Sequence, residues 1–130
     1  MRNNNDLVGS IRISRMPYYD SASQRVKYKG RPVLLLKAEK SIGESDFSIL
    51  PISSISHKEN IDEIFDIEVT AEMYPFLKLN KDISYIRCAK ISTVHSSTIS
   101  KDEISNLKEQ YPELWDSIIL KIREYIDIIE

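Results

Sequence analysis

Gly30-Arg31-Pro32-Val33-Leu34-Leu35-Leu36-Lys37 decides the fold. Four aliphatic residues in an unbroken row suit a strand covered on both faces, and a proline is tolerated at such a strand's first position. Phe47-Ser48-Ile49-Leu50-Pro51-Ile52 reads as a second strand. Between the two, Ala38–Ser45 is polar and holds Gly43, so the pair is expected to form a hairpin. With its turn centred near Ile42, facing positions sum to about 84. Arg31 then stands opposite Ser53 at the open end, and a guanidinium and a hydroxyl emerge side by side. A slip of one residue would bring Ser54 there on the other face.

Working outward, Ile11-Arg12-Ile13 alternates and reads as a half-buried strand over Ser10–Ser14. Residues 16–30 are polar, basic and rich in tyrosine, and read as a long mobile loop, a kind of segment that is usually functional in a compact domain. Ile64–Thr70 is expected as a third strand, Ala71–Phe76 as a short helical turn, and Ser84–Ile91 and Ser92–Thr98 as two more strands. Ser100-Lys101-Asp102-Glu103 has the S-x-x-E form of a capping box and is expected to start a short helix through Ile104 and Leu107. Pro112 opens another. Leu114, Trp115, Ile118, Ile119, Ile122, Tyr125, Ile126 and Ile129 then recur at three- and four-residue steps, an amphipathic helix. The sum is one α+β domain over 1–130, mainly antiparallel β, closed by C-terminal helices, with residues 1–8 as a flexible tail. A small barrel is the expected solution because it removes exposed sheet edges.

The composition limits the class. The chain has 130 residues, 42% hydrophobic and 29% charged. A domain of this length buries roughly two-thirds of its unfolded surface. Disorder needs fewer apolar residues and a larger net charge than −2. The longest aliphatic run, Val33–Leu36, is far short of the ~20 residues of a membrane helix, and the N-terminus has no apolar stretch of signal-peptide length. The single cysteine, Cys88, cannot form an intrachain disulfide and is expected in the core. With two histidines and no Cys/His cluster, no zinc site is expected. A cytoplasmic protein without metal or cofactor is the default reading.

Charge is unevenly spread. Residues 1–40 hold nine Lys/Arg against three acids, whereas residues 41–100 hold five against nine and residues 101–130 four against eight. The basic first third is either an anion-binding surface or a solvated loop.

Together, Gly30-Arg31-Pro32-Val33-Leu34-Leu35-Leu36 and Leu50-Pro51-Ile52-Ser53-Ser54 resemble the PemK/MazF family of type II toxin-antitoxin toxins. In that family Arg-Pro heads an aliphatic strand and a later strand ends in Pro-x-Thr/Ser. Ser84-Tyr85-Ile86-Arg87, Thr93-Val94-His95 and the amphipathic tail fit the following elements, so the resemblance runs from Gly9 to the end. It implies a barrel related to SH3 folds, a homodimer, a cognate antitoxin, and metal-independent cleavage of single-stranded RNA by an endoribonuclease (an mRNA interferase). The family's catalytic arginine falls on Arg31 and its strand-end threonine on Ser53, which keeps the hydroxyl and loses the methyl. Several members carry an acid where Ser84 stands, so a general base is missing from that position. Tyr85, Arg87 and His95 are the candidate substitutes and RNA contacts. His95 reads more readily as a hydrogen-bonded structural residue than as a catalyst, and His57 as a bystander in a polar loop.

The residue types suit that chemistry. Metal-free RNA cleavage uses the ribose 2′-OH as internal nucleophile. A forked guanidinium and a hydroxyl both suit the charge that develops on the phosphate oxygens. Arg25, Lys27 and Lys29, interleaved with Tyr18, Tyr19 and Tyr28, are expected to hold RNA through phosphates and bases, or else the tyrosines pack on the barrel. The helical stripe through Trp115 and Ile122 is core or dimer contact. The other reading is a non-catalytic binding module on the same fold. It is either a silent RNA-binding relative or a gyrase-poisoning toxin of the CcdB type. The latter relies on a Trp-Gly-Ile ending that Tyr125-Ile126-Asp127-Ile128-Ile129-Glu130 does not match.

Overall fold

A computed structural model describes residues 3–129. The strands are β1 (Ser10–Asp20), β2 (Arg25–Ala38), β3 (Asp46–Ser53), β4 (Asp66–Thr70), β5 (Ile83–Arg87), β6 (Ser92–His95) and β7 (Ile99–Asn106). Two helices follow, α1 (Leu107–Gln110) and α2 (Pro112–Asp127). The sheet runs β4-β5-β3-β2-β1-β7, all pairs antiparallel, and β6 joins the free edge at the start of β3. It curls into a half-barrel with α2 packed against it, an α+β architecture.

The unbroken apolar row of β2 has the predicted cause. Val33 and Leu35 enter one buried cluster with Phe47 and Ile49. Leu34 enters another with Ile11, Leu50, Ile52, Ile86 and, from α2, Leu114 and Ile118. A strand buried on both faces has no solvent side on which to alternate. Cys88 belongs to the second cluster, as expected. Burial pushes its thiol up to about 12. Pro112 sits in the first turn of α2, and the stripe of Leu114, Trp115, Ile118, Ile122 and Tyr125 faces the core.

Three expectations are corrected. Residues 16–30 are not a mobile loop but the distal halves of β1 and β2, a two-stranded arm paired from Met16↔Lys29 to Asp20↔Arg25. Its turn is locked by Asp20, whose carboxylate accepts from Ser23 N at 3.1 Å and Ser23 Oγ at 2.6 Å and pairs with Lys27 at 3.2 Å. Those hydrogen bonds, from Ser23 before Lys27, hold its pKa below the usual carboxylate value. Gln24 takes the left-handed conformation that closes the turn (φ 56).

Ser100–Glu103 caps no helix, because it lies in β7 against β1. Arg12, 5% exposed, is the reason: it donates to Lys101 O at 2.6 Å and Ser100 O at 3.4 Å across an irregular stretch of pairing. The helix starts instead at Asn106, whose Oδ1 accepts from Glu109 N at 3.0 Å. The strand expected over Ser92–Thr98 stops at His95, where Nδ1 accepts from Ser97 N and caps a 3-10 turn over Ser96–Thr98. At the N-terminal end Asn4–Leu7 form a 3-10 turn. Asn4 Nδ2 ties it down by donating to Lys40 O and Gly43 O.

Candidate functional site

The β2–β3 hairpin holds the expected register. Val33↔Pro51, Leu34↔Leu50 and Leu35↔Ile49 all sum to 84. A bulge at Leu36 shifts only the turn side, to Lys37↔Ser48. Carried two steps beyond the last pair, Val33↔Pro51, the register sets Arg31 across from Ser53. There β3 leaves β2 and pairs with β5 instead, through Ile52↔Ile86 and Ser53↔Tyr85. That divergence opens a cleft of about 470 Å³ at the strand ends. This volume falls in the range of small-molecule sites.

Arg31, Ser53 and Ser54 line this cleft together, with Ile13, Pro32 and Ile52 as its apolar part. Ser84, the position that is often acidic in the resembled family, lines it too and is only 4% exposed. Lys29 enters from the root of the arm. Another wall is the loop after the 3-10 turn Pro75–Leu77, which contributes Lys78, Leu79, Asn80 and Lys81. Four cations therefore line the cleft, and no carboxylate does. Half-buried Arg31 has no carboxylate partner among the described residues, whose ion pairs are Lys27–Asp20, His57–Glu59, Arg87–Asp66 and Lys121–Glu124. A guanidinium left without a protein anion in such a cleft suits an anionic ligand.

The other candidates lie elsewhere. Arg25 and Lys27 stand further out along the arm, on exposed backbone. Opposed residues share a face, so Arg25, Lys27 and Lys29 share theirs with Tyr18, whereas Tyr19 and Tyr28 belong to the other. There the guanidinium of Arg15 lies 5.5 Å from the Tyr28 ring centre. Tyr85 donates its hydroxyl to Glu68 at 3.2 Å. Partial burial and that carboxylate raise its pKa. Arg87 is held by Asp66, whose side chain is 1% exposed, at 3.3 Å and donates to Asn60 O at 2.9 Å. His95 pairs with Asp46 at the far end of β3. None of Tyr85, Arg87 and His95 lines the cleft. Nor does His57, which is exposed beside Glu59.

Lys78, Asn80 and Lys81 are the cleft residues that sequence reading missed. Their local sequence is an ordinary polar loop, and only the closure of β5 on β3 brings them into one cleft with Arg31. Among the described residues no group of three His, Cys, Asp or Glu is arranged to hold a metal ion, and no helix is long and apolar enough to cross a membrane. Comparison with protein-family models finds no match, and comparison with curated proteins finds none either.

Proposed function

We propose that this protein is an endoribonuclease of the PemK/MazF toxin type, which cleaves single-stranded RNA at the Arg31–Ser53 cleft. The observation that carries the reading is the meeting, among the described residues, of an arginine without an ion pair, two strand-end serines and a buried third serine in one cleft lined by cations and no acids. The half-barrel sheet with its helix on one side is compatible with the SH3-like barrel of that family.

In this reading the scissile phosphate sits between Arg31 and Ser53. The ribose 2′-OH attacks the adjacent phosphorus and the 5′-oxygen of the next nucleotide leaves. The new P–O bond closes a 2′,3′-cyclic phosphate, and the leaving oxygen becomes a 5′-OH. The forked donors of Arg31 and the Ser53 hydroxyl stabilise charge gathering on the non-bridging oxygens. Alignment of the 2′-OH with the leaving oxygen supplies much of the remaining acceleration. With Ser84 in place of an acid, and Tyr85, Arg87 and His95 outside the cleft, this chemistry leans on charge stabilisation and alignment. The protein acts as a homodimer, in the cytoplasm, and is silenced by an antitoxin that covers the basic cleft and arm.

The test is cleavage of a long single-stranded RNA by wild type and Arg31→Ala. Cleavage by the first and its loss in a folded second supports the reading. Equal cleavage by both removes Arg31 from the chemistry. RNA that binds tightly and stays intact would favour the binding-module alternative.

A further inference from the structure

We infer that the loop Lys78–Lys81 is a second phosphate subsite, which grips the nucleic-acid backbone one linkage away from the phosphate at Arg31. This rests on the proposed nucleic-acid reading of the cleft and extends it. Three observations converge. Residues 41–100 carry five cations against nine acids, yet two of those cations stand on this wall and none of those acids lines the cleft. The loop is also pinned rather than loose. Leu77 is buried in the core and Leu79 packs against it. Asp82 O closes the base by accepting from Ala71 N at 2.9 Å. Between the two anchors, Lys78 occupies the left-handed region (φ 57), which an L side chain rarely adopts. Core packing thus overrides the local preference of this lysine and holds it at the cleft.

The third observation is division of labour. Arg31 and Ser53 reach the cleft from β2 and β3, whereas Lys78, Asn80 and Lys81 reach it from a separate segment, the loop before β5. One phosphate does not need four cations, and ammonium groups act as point charges that suit holding a backbone rather than orienting a transition state. Asn80 adds a neutral donor between the two lysines. The occupant is therefore a chain with at least two successive phosphates, not a mononucleotide.

The experiment measures equilibrium binding of a short mixed-sequence single-stranded oligodeoxynucleotide, which lacks the 2′-OH and cannot be cut, across a salt series. Wild type, Lys78→Gln/Lys81→Gln and Lys58→Gln/Lys90→Gln are compared. The last pair removes the same charge from exposed positions away from the cleft. The cleft variant is expected to lose up to about 1.4 log units of slope per log unit of salt, the release expected for two lost contacts on a single strand. The control keeps the wild-type slope. An unchanged slope in the cleft variant, or an equal loss in the control, overturns the subsite. So does a variant that keeps the oligonucleotide slope and loses affinity only for a glutamate-rich peptide, because the loop is then a protein dock. Cleavage of RNA is scored separately. A wild type that cuts no RNA while the cleft variant loses slope refutes the ribonuclease reading and leaves the subsite standing; the converse refutes only the subsite.

Discussion

Arg31→Ala separates catalysis from stability, because the structure assigns this side chain almost no part in the fold. Arg31 is half-buried, has no ion pair among the described residues and lies within β2 two residues before its buried run begins at Val33. Surface changes of this kind stay within about 0.5 kcal/mol of wild-type stability. The expected rate loss is at least roughly a hundredfold, the cost of one transition-state donor, or about 2.7 kcal/mol of barrier. Arg12→Ala is the counterpart. Arg12 is buried and supplies donors to Ser10 Oγ, Ser100 O and Lys101 O. Its removal strands acceptors at about 1–3 kcal/mol each and should lower the melting temperature by several degrees. The assay pairs initial rates on a fluorogenic single-stranded RNA with urea unfolding of each variant. Near-normal turnover in folded Arg31→Ala refutes the reasoning. An Arg31→Ala protein as destabilised as Arg12→Ala would also refute it, since Arg31 would then be structural.

Three further outcomes follow from the same geometry. Ser53→Ala should slow cleavage while Ser53→Thr retains it, measured as kcat on the same RNA; damage from Ser54→Ala alone would move the function to the neighbouring serine. Replacing Arg25, Lys27 and Lys29 with Gln should raise the RNA dissociation constant and flatten its salt dependence by up to about two log units, with little change in the rate on bound RNA. Burial pushes the Cys88 thiol up to about 12 in the fold, above its unfolded value. Its contribution to stability is therefore complete below about pH 8.5 and is lost as pH rises towards 12. Iodoacetamide should accordingly leave native Cys88 unmodified at pH 8 and label it on unfolding; rapid labelling of the native protein contradicts its burial.

The residues differ in how much they disclose on their own. Val33–Leu36 reveals its strand because burial on both faces demands an unbroken apolar row. The Arg31–Ser53 juxtaposition was legible because a hairpin's register follows from its turn, and the bulge at Leu36 falls on the turn side, where it leaves the open end in step. The arm was not legible as strand. It projects Tyr19, Val26 and Tyr28 into solvent, so the usual contrast between a core face and a polar face is absent. Ser100–Glu103 carries a genuine capping pattern, overridden by the buried Arg12 that fastens this segment to β1. The Lys78–Lys81 wall depends on β5 closing against β3, a long-range event that leaves no local trace.

End-group analysis of a long single-stranded RNA incubated with the wild-type protein in excess EDTA tests the central claim most directly. The cleft chemistry derived from Arg31 and Ser53 predicts undiminished cleavage, with a 2′,3′-cyclic phosphate on one fragment and a 5′-OH on the other. Cleavage that stops with EDTA, or that leaves 5′-phosphates, contradicts it.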